Sequence, residues 1–236
     1  MLAFSDVTAG YGKLTVLDGL SLTLAADEVL ALLGANGSGK STVLKTAMGL
    51  TRMTQGRLAL AGQDIAGLPA HLRARRGLGY VPQTRNVFAE LSVMDNLRMG
   101  GFARPDYAAD LDSVFDLFPA LRDRRGARAG ALSGGERRML SIGMTLLLRP
   151  SLLLLDEPSS DLSPLMVTQV FTAIRRIRAQ RQIPVLLVEQ NVRAALGIAD
   201  RVCVMVRGRA ALDVPAAAVD FAQLHALFLD GGVRTS

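Results

Sequence analysis

Gly34-Ala35-Asn36-Gly37-Ser38-Gly39-Lys40-Ser41, followed by Thr42, matches the spacing G-x-x-x-x-G-K-[ST]. The chemistry of that pattern is the holding of phosphate. Its glycines reach φ > 0 and let successive backbone N–H groups point inward around an anion. A helix opening near Lys40 adds its positive dipole end. Lys40 is placed for the β- and γ-phosphates of a nucleotide, and the Ser41 hydroxyl for Mg²⁺. A second constellation, Leu152-Leu-Leu-Leu-Asp156-Glu157, delivers two carboxylates at the end of an apolar run. Ligands of open α/β sheets sit at such strand ends. Asp156 would hold Mg²⁺ through water, and Glu157 would polarise an attacking water. Neighbouring strand residues face opposite ways, so the two acids can take different jobs. Alone, the pair also reads as solvated acids; beside a phosphate loop it reads as hydrolytic machinery. The third motif is Leu132-Ser133-Gly134-Gly135-Glu136. Ser133 with Glu136 is a capping box for the helix that follows. The box gives no reason for two glycines, which would bare the N–H groups of a second anion-binding helix terminus. Two such termini, separated by a helical insertion, suggest one nucleotide gripped by two copies of the chain.

The elements that must position these residues are legible from hydropathy. The chain has 236 residues, half of them apolar and a fifth charged. That suits one large α/β domain, or one with a sub-domain inserted, and excludes disorder. Leu20, Leu22 and Leu24 alternate with polar residues as in a half-buried antiparallel strand, and 57–62 alternates again, with Gly62-Gln63-Asp64 as its turn. Val29–Leu33 is continuous, as in a strand covered on both faces, and runs into Gly34; a helix over 41–48 follows, closed by Gly49. A short strand is expected at 78–82. Between 88 and 149 the strand patterns vanish and helices are expected at 93–99, 107–118 and 136–148. Strands return at 152–155, 185–188 and 202–206, with helices at 165–180, 192–196 and 221–229 and a turn at 207–209. Strands alternating with helices predict a mostly parallel sheet. No apolar run reaches the roughly 18 residues of a membrane span, and the N-terminus has no signal-peptide pattern. The single cysteine, Cys203, reads as a core thiol in a soluble, intracellular chain.

The net charge is +6, and of 27 basic residues only Lys13, Lys40 and Lys45 are lysines. Arginines cluster at 73/75/76, 122/124/125/128 and 175/176/178/181. These read as solvated helix faces or as surfaces toward anionic lipid. The few aromatics are not interleaved with the arginines, so no stacking platform for nucleic acid is expected.

Together these motifs resemble the ATP-binding-cassette (ABC) ATPases over nearly the whole chain. Leu-Ser-Gly-Gly-Glu resembles that family's signature, about twenty residues ahead of the Asp-Glu pair. The resemblance implies an α/β P-loop NTPase fold: a RecA-like core with an antiparallel β sub-domain (1–87 and 150–236) and an inserted helical sub-domain (88–149). It implies ATP and Mg²⁺ as cofactors and a head-to-tail dimer, with each ATP between one phosphate loop and the other copy's Ser133, Gly134, Gly135 and Glu136. Tyr11 resembles the aromatic that stacks on adenine. Gln83, in Tyr80-Val-Pro-Gln83, resembles the glutamine that links Mg²⁺ and the attacking water to the helical sub-domain. Residues 84–96 should then help form a groove for a coupling helix of a membrane partner. Two positions depart from the pattern. Gln190 replaces the switch histidine after the 185–188 strand; it can donate a hydrogen bond to the γ-phosphate but cannot titrate. Ser163 stands where the family usually has aspartate, which puts cross-dimer signalling there in doubt.

Val188-Glu-Gln-Asn191, Met99-Gly-Gly-Phe102, Leu117-Phe-Pro-Ala-Leu121 and Leu227-Phe-Leu-Asp-Gly231 resemble the smaller ATPase subunit of branched-chain amino acid importers. Urea and short-amide importers use nearly the same subunit. The resemblance implies a peripheral protein on the cytoplasmic face of the inner membrane. Its partners would be a second ATPase, two permeases and, indirectly, a solute-binding protein. The alternatives are an exporter ATPase and a soluble regulatory cassette.

Overall fold

The computed structural model describes residues 1–84 and 86–232, with side chains through Phe228. Arg85, inside the expected groove segment, and the side chains of 229–231, in the 227–231 motif, therefore lie outside the described residues. In chain order the strands are β1 (Leu2–Tyr11), β2 (Leu14–Leu24), β3 (Val29–Leu33), β4 (Arg52–Leu60), β5 (Gln63–Asp64), β6 (Leu78–Val81), β7 (Leu152–Asp156), β8 (Val185–Val188), β9 (Arg201–Val206) and β10 (Arg209–Pro215). The α-helices are α1 (Lys40–Ala47), α2 (Ala70–Arg75), α3 (Val93–Gly101), α4 (Leu111–Leu117), α5 (Pro119–Asp123), α6 (Gly134–Leu146), α7 (Pro164–Arg181), α8 (Val192–Leu196) and α9 (Phe221–Gly232). The chain divides into two compact units, Met1–Arg76 with Pro184–Ser236, and Gly77–Ile183.

In the first unit, β2-β1-β4-β5 form an antiparallel sheet. β3 pairs in parallel with both β8 and β9, and β10 returns antiparallel on β9. Every residue of β3 and β8 is buried, whereas β2 buries alternate residues near its end. Continuous and alternating hydropathy thus separate two-sided from one-sided strands. α1 ends in a Schellman motif: Gly49 takes φ 74° and the N–H of Leu50 reaches the Lys45 carbonyl at 2.8 Å. Gln63 and Asp64, expected in a turn, instead form β5. The turn is Ala61-Gly62, both at positive φ, and the alanine there hid it.

The arginine cluster of 73–76 needs a correction. Arg73 is buried and donates to the Thr46, Ala47, Ala66 and Leu68 carbonyls at 2.7–2.9 Å. Two of these close the C-terminal end of α1, where positive charge meets the negative end of the helix dipole. Burial pulls the Arg73 pKa below the ordinary guanidinium range, opposed by the charge of Asp64.

In the second unit, β6 and β7 pair in parallel from Leu78↔Leu152 to Val81↔Leu155. α6 packs against α3 and α7. The segment expected as one helix over 107–118 is a 3₁₀ turn (Tyr107–Asp110) followed by α4. Phe118 leaves helical geometry at φ −131° because the next residue, Pro119, disfavours it; that proline then opens α5. Among the described residues, no helix is long and apolar enough to cross a membrane.

Candidate functional site

The phosphate loop lies wholly in the first unit, between β3 and α1. Gly34, Gly37 and Gly39 have φ of 147°, 79° and 103°. A Cβ at Gly34 would lie 2.4 Å from the Met205 carbonyl oxygen, so both conformation and space require glycine there. Ala35 is half-buried, Asn36 and Gly37 are exposed, and Ser38, Gly39 and Lys40 are buried. Lys40 Nζ donates to the Gly34 and Ala35 carbonyls at 2.8 and 2.9 Å, across the mouth of the loop. Ser41 is half-buried and Thr42 buried in the first turn of α1. That turn has no acidic residue and no side-chain cap. The Ser38 hydroxyl is 4% exposed and has no hydrogen-bond partner among the described residues. A helix N-terminus without a side-chain cap, a buried ammonium and the unsatisfied Ser38 hydroxyl make a cradle that an anion's oxygens would suit.

The turn between β9 and β10 supports this loop. The Gly208 N–H donates to the Ser38 carbonyl at 2.9 Å, and the Gly208 carbonyl accepts from the Asp18 N–H. That contact joins residues 170 positions apart and had no sequence signal beyond the turn itself. Tyr11 ends β1 and is 42% exposed, paired with Leu14 at the hairpin end. Gln190 is exposed after β8. Its neighbour Glu189, missed by the sequence reading, is buried and accepts the N–H groups of Gln190 and Asn191 at 3.0 and 3.2 Å. The Asn191 carboxamide oxygen then accepts from the Ala194 N–H and caps α8. The Gln190 backbone is therefore shaped by a buried carboxylate.

The second unit brings three of the expected residues together. Asp156 and Glu157 are both buried at the end of β7. They diverge as adjacent residues should: Tyr80 Oη donates to Asp156 Oδ2 at 3.1 Å, and Gln83 Nε2 donates to Glu157 Oε2 at 2.7 Å. Glu157 has φ 45°, the left-handed region, which costs a non-glycine residue about 1–2 kcal/mol. Its carbonyl is held by the Ser160 N–H at 3.1 Å and by Arg138 Nη2 at 3.3 Å. The hydroxyl, carboxylate and carboxamide oxygens of Ser41, Asp156 and Gln83 are hard donors of the kind Mg²⁺ takes.

Ser133 caps α6 in a complete capping box, accepting from the Glu136 N–H at 3.3 Å while Glu136 Oε2 accepts from the Ser133 N–H at 2.8 Å. Burial would raise the Glu136 pKa, but the two Ser133 hydrogen bonds and the Arg124 charge outweigh it and lower the value. Gly135 is buried, and a Cβ there would lie 2.0 Å from Met166 Cε and 3.1 Å from Met166 Cβ on α7. Ser133 and Gly134 are exposed. One glycine thus answers to packing and the other leaves the terminus open. Ser163 caps α7, accepting from the Met166 N–H at 3.4 Å.

A groove of about 440 Å³ in the same unit is lined by Pro82, Val87, Phe88, Met99, Met144 and Leu148, among others. Phe88 and Met99 are about half exposed. The loop bearing Phe88 is pinned by Asn96, fully buried, whose carboxamide accepts from the Phe88 N–H at 2.7 Å and donates to the Phe88 and Ser92 carbonyls at 2.9 Å each.

Comparison with known proteins adds a second line of observation. Residues 17–160 match the family described as ABC transporter. The chain is 41% identical over 234 residues to the high-affinity branched-chain amino acid transport ATP-binding protein BraG of Pseudomonas aeruginosa, covering 98% of this chain and 100% of BraG. It is 39% identical over 215 residues to a probable branched-chain amino acid transport ATP-binding protein, LivF, of Archaeoglobus fulgidus, covering 90% and 91%. A solved ATP-binding cassette of an ABC transporter, MJ1267 in its ADP conformation, superposes with a TM-score of 0.85 at 22% identity, covering 96% and 98%. That last likeness speaks to the fold.

Proposed function

The chain belongs to the ABC transporter family and is an ATPase of that family; on that premise we propose that it powers a branched-chain amino acid importer. The observation that carries this reading is the full-length likeness to BraG, joined to a glycine loop at a helix start that holds a buried lysine and the unsatisfied Ser38 hydroxyl. The chain would lie peripherally on the cytoplasmic face of the inner membrane. It would work in a head-to-tail dimer with a second ATPase, beside two permeases served by a solute-binding protein.

In this reading, residues 34–42 wrap the β- and γ-phosphates of ATP, Lys40 neutralises their charge and Tyr11 packs on the adenine. Ser41, Asp156 and Gln83 would hold Mg²⁺, which when bound neutralises phosphate charge and orients the γ-phosphoryl group. Glu157 takes a proton from the attacking water, Gln83 keeps that carboxylate aimed, and Gln190 donates to the γ-phosphate. Ser133, Gly134 and the Glu136-capped terminus of α6 face the partner's nucleotide. Hydrolysis here is mostly positioning and charge neutralisation. The apolar groove beside Phe88 and Met99 would receive a permease's coupling helix; its apolar lining supports that reading.

The test is reconstitution in proteoliposomes with the permease pair and binding protein. Leucine uptake should require MgATP on the face that carries this chain and should stop with Glu157→Gln. Uptake of urea or a short amide in place of leucine would move the assignment to that importer class, and ATP-driven efflux would make it an exporter.

A further inference from the structure

Arg138 donates to four groups beside the assigned residues, and no motif named it. It sits on α6, five positions after Ser133, and is 5% exposed. Its Nη1 donates to the Pro82 carbonyl at 2.8 Å, and its Nη2 to the Gln83 carbonyl at 2.9 Å. Nη2 also reaches the Glu157 carbonyl at 3.3 Å and Ser160 Oγ at 3.4 Å. One planar guanidinium thus spans the loop after β6 and the loop after β7. The side chains of those loops meet in the 2.7 Å Gln83–Glu157 hydrogen bond.

We infer that Arg138 is a positioning residue for hydrolysis: its guanidinium fixes the Gln83–Glu157 pair from the helix that carries the Ser133–Gly135 terminus. The inference rests on the assignment of Gln83 and Glu157 above. The backbone of Glu157 is held in a left-handed conformation, and its carbonyl is one of the atoms Arg138 grips. A shift of α6 is therefore delivered to both members of the pair together. A movement at the Ser133 terminus reaches Glu157 through five residues of helix and one side chain. Lysine has the charge but carries its three donors on one nitrogen, so it cannot reproduce the fork that reaches the Pro82, Gln83 and Glu157 carbonyls from two nitrogens. Glutamine has two donors and no charge.

The experiment measures single-turnover MgATP hydrolysis by the purified full-length chain, with ATP affinity and thermal melting recorded alongside. The variants are Arg138→Lys, Arg138→Gln, Gln83→Ala, Glu157→Gln and the double variant Arg138→Lys/Gln83→Ala. Arg138→Lys should slow hydrolysis about tenfold or more, because small misplacements of a reacting group are costly. ATP affinity should stay within about twofold, since only the chemical step is touched. In the double variant the two losses should fall short of multiplying, because both act on one pair. A rate for Arg138→Lys within about twofold of wild type overturns the positioning role. So does a loss that vanishes when rates are corrected for folded protein, or losses that multiply. Wild-type turnover by Glu157→Gln would instead overturn the parent assignment, and this inference with it.

Discussion

The two units hold their candidate residues by different means. In the first, the loop of 34–41 is shaped by three glycines at positive φ, a helix terminus and backbone contacts from Gly208. Its one charged side chain, Lys40, is bonded to the loop's own carbonyls. In the second, the Gln83 and Glu157 side chains bond to each other, and their backbone carbonyls accept from Arg138 on α6. Backbone donors suit a ligand with spread negative charge, which needs many weak contacts in fixed directions. A hydrolytic base needs one atom placed to within a fraction of an ångström, and a bonded side-chain network supplies that. The contrast predicts that substitutions in the loop of 34–41 alter binding and that those at Gln83, Arg138 and Glu157 alter turnover.

The largest effect should come from Glu157→Gln. Turnover should fall by about 10²–10⁴, the range of general-base catalysis, while ATP binding stays near wild type and an ATP-bound dimer accumulates in size-exclusion chromatography. Unchanged turnover would remove Glu157 from its role. Next, Lys40→Ala should weaken MgATP binding by about 100-fold in a calorimetric titration, as two or more charge-assisted contacts are lost. Wild-type affinity would break the assignment of the loop.

Third, Arg73→Ala should cost about 2–4 kcal/mol in chemical denaturation, because four carbonyl hydrogen bonds are lost, two of them buried. Its exposed neighbour Arg76 should cost no more than about 0.5 kcal/mol as alanine. Equal effects would contradict the burial contrast. Gln190→His should give equal or faster hydrolysis, by about twofold, since imidazole keeps the donor and adds a titrating group. A collapse in rate would show that the amide does more than donate.

A further small effect concerns pH. Burial would raise the Asp110 pKa, but hydrogen bonds from Arg149 and Arg104 outweigh it and hold it below the ordinary carboxylate value. A lowered carboxylate stabilises the fold above its unfolded pKa of about 3.9, and that contribution is lost as pH falls through the lower folded value. The gap in urea midpoint between wild type and Asp110→Asn should therefore narrow as pH falls from neutral toward about pH 3. The neutral-pH difference should be at most about 1 kcal/mol, because the neighbouring Arg149 is solvent-screened. A gap that widens toward low pH would reverse the sign.

Much of this fold was legible beforehand. The runs at 29–33, 152–155 and 185–188 are buried strands within a residue of their expected bounds, and 192–196 is a helix as read. The motif residues Gly34–Thr42, Ser133–Glu136, Asp156 and Glu157 stand at the strand ends and helix starts that their spacing implied. What escaped were elements too short for periodicity, such as α2, α5 and β5, and a break at Phe118 set by the following proline. Arg73 escaped for another reason. Its neighbours Arg75 and Arg76 are exposed, and nothing local marks which arginine of three turns inward.

Backbone geometry and hydropathy are local properties, so the amino-acid order alone determined the phosphate loop, the capped helix of the signature and the paired acids. Side-chain partnership across long sequence separations is not local. Arg138 meets Pro82 across 56 positions and Glu157 across 19, and Gly208 meets Ser38 across 170. Those choices follow from which surfaces the packed helices and strands bring within about 3 Å, the reach of a hydrogen bond. Only the folded chain decides them.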